Sequence, residues 1–146
     1  MAQITGEVLI AAPITLVFDI VADERNEPHY NPRIVRADKV TDGPIGRGTR
    51  FVAEPKGMGA RGEMTMEIVE YERPRLLHNV VRSPYMLVDG TLTFEESGAG
   101  TRLGWDWSMA LLGPLRVLTP VLKLVGPGWE RRNWQDLKKY VESGRH

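Results

Sequence analysis

The sequence predicts an α+β protein: a curved antiparallel sheet of about seven strands wrapped around a long C-terminal helix, with two short helices after the first strand. Three observations carry this. From Leu103 to Leu111 every second residue is large and apolar (Leu103, Trp105, Trp107, Met109, Leu111), while those between are small or polar. That is the period of a strand with one wet and one dry face. Trp134, Leu137 and Val141 recur at helical spacing near the C-terminus, with Arg131, Arg132, Lys138 and Lys139 suited to the opposite, wet face,. Between the helices at the two ends the strands follow one another, an order that belongs to segregated α+β chains and not to a parallel doubly wound sheet.

The elements follow in order. Ile4, Gly6, Val8 and Ile10 alternate with Thr5, Glu7 and Leu9 as a first strand. Pro13 suits the first position of a helix, where a missing N–H is harmless. Ile14, Val17, Phe18 and Val21 then lie on one helical face,. Asp23 to Pro32, with two prolines and many polar residues, reads as a short helical or irregular corner. The period returns to two from Ile34. Asp42-Gly43-Pro44-Ile45-Gly46-Arg47-Gly48 has hairpin chemistry, and Thr49 to Glu54 returns,. After a loose loop at Pro55 to Ala60, Met64, Met66 and Ile68 mark a long strand ending at Tyr71, broken by Glu72-Arg73-Pro74-Arg75. Strands from Leu76 to Arg82 and from Tyr85 to Phe94 precede a last hairpin and the tryptophan strand. Gly113, Pro114, Pro120, Gly126, Pro127 and Gly128 then punctuate an apolar approach to a helix predicted from about Trp129 to Glu142.

Composition narrows the functions. A chain of 146 residues without internal repeat or linker reads as a single domain over 1–146,. Lys plus Arg equals Asp plus Glu, 19 each, so no net field draws nucleic acid or an anionic membrane,. Cysteine is absent, which removes disulfides and thiolate chemistry and fits a cytoplasmic setting,. The N-terminus lacks the basic and apolar regions of a signal peptide. Ala110 to Val125 is greasy, but Pro114, Pro120, Arg116 and Lys123 interrupt it, so no stable membrane insertion is expected,. His29, His78 and His146 lack zinc-ligand spacing, and no glycine-rich loop opens a helix after a strand,. Neither metal nor cofactor is expected.

Several pieces together resemble a known superfamily. They are Ala12-Pro13 before the Val17-Phe18 helix, the Tyr30-Asn31-Pro32-Arg33-Ile34 corner, the Asp42 to Phe51 hairpin, Tyr71-Glu72-Arg73-Pro74-Arg75-Leu76, and Gly100-Thr101-Arg102-Leu103. In this order, over about 140 residues, they are similar to the START-like, Bet v 1-type helix-grip proteins (SRPBCC), in the bacterial polyketide cyclase/dehydrase and lipid-transport branch. The Tyr30 corner carries Tyr where the family usually has Trp. The resemblance implies the helix-grip fold and a deep cavity between sheet and C-terminal helix for lipids, quinones, polyketides or sterols. Members include enzymes, carriers and chaperone co-factors, so the scaffold does not choose among these functions.

Inward-facing residues of the predicted strands are Met64, Met66, Ile68, Met86, Val88, Leu92, Phe94, Trp105, Trp107 and Met109, with Glu63, Glu67, Asp89, Arg102 and Asp106 outward. Met64, Met66, Met86, Trp105, Trp107 and Met109 form the expected ligand-binding set, since thioethers repack around irregular guests. Ordinary core packing is the competing reading. Trp129 stands near the opening, beside Gly126 and Gly128 as a hinge, and Tyr30 near the mouth. The strand from Leu76 to Arg82 admits two registers, one turning His78 inward and the other Asn79. The expected function is binding or carriage of a small hydrophobic molecule. A polyketide cyclase or dehydrase is the alternative, with His78 or Asn79 and a rim acid, Glu54 or Glu63, as catalytic candidates. A protein-interaction module with a filled core is the third reading.

Overall fold

The first strand pairs with the last, and this closure decides where everything else must go. The computed structural model describes residues 2–144; His146 lies outside them. Strand β1 (Ala2–Ile10) leads into α1 (Ile14–Ala22), a 3-10 turn (Glu24–Asn26) and α2 (Glu27–Tyr30). Six strands follow: β2 (Ile34–Lys39), β3 (Arg50–Pro55), β4 (Met64–Glu72), β5 (Leu76–Arg82), β6 (Met86–Ser97) and β7 (Gly100–Leu111). A 3-10 turn (Gly113–Leu118) then runs into α3 (Thr119–Glu142). The curved sheet has the order β1-β7-β6-β5-β4-β3-β2, and each neighbouring pair is antiparallel. This is the helix-grip fold.

The alternation read from the sequence is the alternation of burial. Along β7, Thr101, Leu103, Trp105, Trp107 and Met109 are buried and Arg102 and Asp106 exposed. Gly43 and Gly48 take positive φ in the first hairpin connection, a conformation that favours glycine,. The α1 face Ile14, Val17, Phe18 and Val21 is buried. Phe18 meets Tyr71 at 5.3 Å and Phe94 at 5.0 Å, both edge-on,. Outside, Arg73 grips Asp19 with two hydrogen bonds of 2.8 Å, tying α1 to the β4–β5 turn. Pro13 caps α1 and does not itself occupy a helical position, one residue from the expected place.

The C-terminal helix corrects the sequence reading. It begins at Thr119, ten residues before the predicted start, so Trp129 lies inside a continuous helix and not at a hinge. The residues that read as loop punctuation have other roles. Pro120 falls in the first turn, where it costs no hydrogen bond,. Pro127 is accommodated within the helix. Gly126 faces β1: a Cβ there would stand 2.5 Å from Ile4 Cδ1, so any other residue would oblige the Ile4 side chain to shift. At the far end Lys138 donates to the Leu9 carbonyl at 2.7 Å, and Glu142 accepts the Ala11 N–H at 2.8 Å. Trp134 stacks on Trp105 with ring centroids 5.7 Å apart. Helix and sheet are clamped at the C-terminal end of α3, and the cavity lies toward its N-terminal half.

Candidate functional site: a cavity with a polar end

Between the N-terminal half of α3 and the sheet lies a cavity of about 640 Å³, within the range typical of small-molecule sites. Met64 and Met66 on β4, Met86 on β6, Trp107 and Met109 on β7 and Met58 in the β3–β4 connection all line it. Exposed lining residues mark its mouth: Met58, Tyr85 and Trp129, the last 52% exposed. Beside the mouth, the 3-10 turn leaves Val117 80% exposed and the first half of α3 leaves Leu124 82% exposed.

The wide indole of Trp107 fits because its cross-strand partner is Gly90, where a Cβ would sit 1.6 Å from Trp107 Cε3. Trp105 is held in the same way over Gly6, its partner on β1. The two rings part company there. Trp105 packs between Gly6 and Trp134 and is not among the cavity-lining residues.

Tyr30, Met64, Met66, Met86, Trp107, Met109, Trp129 and Asn79 are thus brought together, while Trp105, His78, Glu54 and Glu63 are not. Alternation along β3 and β4 explains the carboxylates. Phe51, Ala53 and Met66 turn inward, so Glu54 turns out, and Glu63 sits exposed with a carboxylate oxygen 3.9 Å from Arg36. In β5 the inward residues are Leu77 and Asn79. A bulge between Ile68 and Glu70 sets Asn79 opposite Ile68 and His78 opposite Glu70,. On that outer face His78 bonds Asp89 through Nε2 at 2.6 Å and Glu70 through Nδ1 at 3.2 Å. Partial burial lowers the imidazole pKa, but the Asp89 and Glu70 carboxylates more than offset it, leaving a net upward shift. This trio joins three strands across the sheet and does not reach the cavity.

The sequence reading missed the cavity's polar end. Glu27 on α2 and Glu130 on α3 both line it. Glu27 accepts a hydrogen bond from Asn31 Nδ2 at 2.8 Å, and Glu130 accepts one from Trp134 Nε1 at 3.0 Å. Loss of hydration lifts the Glu27 carboxyl to about 7; Asn31 and Arg33 pull it down, and the neighbouring Glu130 pushes it further up,. Burial raises Glu130 as well, against the opposing pull of Trp134, Arg33 and the nearby Trp107 indole. Tyr30 beside them keeps its proton far above neutrality, through burial first and the Glu27 charge second. Three deeply buried side chains of the cavity wall have polar atoms with no hydrogen-bond partner: Asn79 Oδ1 (residue 4% exposed), Trp107 Nε1 (8%) and Asn133 Oδ1 (9%). A signal for Glu130 was present: it precedes Trp134, Leu137 and Val141 by four, seven and eleven residues, a carboxylate on an apolar helix face,. Glu27 carries no such mark in a corner rich in polar residues. Among the described residues no group of three His, Cys, Asp or Glu side chains could hold a metal ion, and no helix is long and apolar enough to cross a membrane.

Comparison with known proteins agrees with this architecture. The family model described as "Polyketide cyclase / dehydrase and lipid transport" matches residues 1–142. Among curated proteins, none matches the sequence. Among solved structures, a START superfamily protein from Mycobacterium smegmatis is similar with TM-score 0.82 and 16% identity, over 98% of this chain and 99% of the other. TTHA0849 from Thermus thermophilus gives 0.77 and 18%, over 99% of each chain. The di-domain ARO/CYC protein BexL gives 0.71 and 23%, over 97% of this chain and 47% of its own. At such identities the likeness establishes the fold.

Proposed function

The chain belongs to the polyketide cyclase / dehydrase and lipid transport family, and from that premise we propose that it is a single-domain protein that binds and carries a small hydrophobic molecule between sheet and α3. The observation that carries this is the cavity itself: about 640 Å³, walled by methionines, Trp107 and aliphatic side chains, and open beside Trp129. Burying a guest's apolar surface contributes roughly 25 cal/mol per Å² before the costs of association. Thioether side chains let one wall fit guests of different outline.

The test separates two indoles that both line the cavity, Trp107 on β7 and Trp134 on α3. Trp107→Ala weakens naphthalene binding, measured by calorimetry, more than Trp134→Ala does. Trp134→Ala instead acts mainly on stability, by about 3–5 kcal/mol, as expected for a buried tryptophan that grips the sheet. The reverse pattern overturns the reading.

Glu27 favours a second reading, a cyclase or dehydrase. A carboxyl near 7 inside an apolar cavity can take a proton and return it at neutral pH,. His78, Glu54 and Glu63 hold no such position. On this reading Glu27→Gln abolishes turnover of a poly-β-ketone substrate while naphthalene still binds; undiminished turnover excludes Glu27 from the chemistry.

A further inference from the structure

We infer that the cavity selects hydrophobic molecules ending in a neutral hydroxyl, an alcohol or a phenol, and turns away those ending in a carboxylate. The inference rests on the ligand-binding reading above and deepens it. Its basis is the set of polar atoms that the protein leaves without partners at one end of an otherwise apolar space.

Two carboxyls, Glu27 and Glu130, line that end, each with one oxygen engaged: Glu27 Oε1 by Asn31 and Glu130 Oε2 by Trp134. Trp107 Nε1 on β7, a donor only, makes no direct hydrogen bond although it lies near enough to Glu130 to lower that carboxyl's pKa, and Asn133 Oδ1 on α3, an acceptor, has no partner; both line the same cavity,. Leaving such atoms unpaired is costly. A guest that pairs them recovers part of that cost, and one that cannot leaves it in place.

The chemistry of the set discriminates among head groups. A hydroxyl both donates and accepts, so one O–H can donate to a carboxyl or to Asn133 Oδ1 while its oxygen accepts from Trp107. An ether or ketone accepts from Trp107 but gives the acceptors nothing. An ammonium donates but cannot accept, and it meets Arg33, already acting on both carboxyls. A carboxylate brings negative charge into poorly hydrated space beside two carboxyls, where like charges repel strongly. Only the hydroxyl satisfies both kinds of orphan.

Four probes with one ring system test this on the unmodified protein at pH 7.5 by calorimetry: naphthalene, 2-naphthol, 2-methoxynaphthalene and 2-naphthoate. The expected order has naphthol on the order of tenfold tighter than methoxynaphthalene, as one good hydrogen bond gives, and naphthoate at least tenfold weaker than naphthalene. Glu27→Gln/Glu130→Gln brings naphthoate close to naphthalene, and Trp107→Phe removes much of the naphthol advantage. Naphthoate binding as tightly as naphthol, or methoxynaphthalene matching naphthol, overturns the inference and leaves the ligand-binding reading standing. Failure of all four probes, naphthalene included, removes both.

Discussion

Glu27 couples the cavity to pH. Its carboxyl is lifted from the ordinary 4.5 to about 7, chiefly by burial. Between those values the folded chain holds a proton that the unfolded chain has released, so stability falls as pH rises through that window. Below about 4.5 the group is protonated in both states and adds nothing. Glu27→Gln keeps an oxygen for Asn31 and removes the buried charge. The variant is therefore more stable than the parent at pH 8, and the gap closes toward pH 4, as paired thermal melts would read. A gap that stays constant with pH, or a less stable variant at pH 8, contradicts the enclosed carboxyl. Residues of this kind were the least legible part of the sequence. Methionines and Trp107 were marked by period-two alternation, whereas Glu27 reaches the cavity only through the placement of α2, and Trp105 differs from Trp107 only through which neighbour it leans on.

At the scale of elements, strand alternation was readable wherever one face is apolar and the other charged, as in β4 and β7. In β5 it was not, because Leu76, His78 and Val80 compete with Leu77, Asn79 and Val81. The bulge in β4 that fixes the pairing is a property of two strands together,. The first ten residues of α3 were unreadable for a related reason: their prolines and glycines carry loop signals, and the packing that overrides them, Gly126 against Ile4, joins positions far apart in the chain. This half of α3 and the 3-10 turn before it expose Val117, Leu118, Val121 and Leu124 beside the mouth. Segments with few buried contacts open most readily. Hydrogen exchange through 113–129 is therefore faster than through 133–141 in the free protein and slows when naphthol is added; equal exchange with and without it contradicts a role for this segment in access.

Across the whole molecule, the order of elements was enough to anticipate the helix-grip architecture, because a sheet with one dry face has few ways to cover it. Closure of β1 on β7 places α3 along the sheet, and the clamp of Lys138 and Glu142 on the end of β1 holds one end shut. The cavity lies toward the other end, between the N-terminal half of α3 and the sheet. Packing near crystal density is the rule for interiors, so a hollow of about 640 Å³ lined by five methionines departs from it in a way that a guest would repair,. Anomalous diffraction from crystals soaked with 2-bromonaphthalene tests that claim most directly. The account predicts a bromine peak between Trp107 and α3, against the methionine side chains. Crystals that show no peak there, with the space closed by the protein's own side chains, would contradict it.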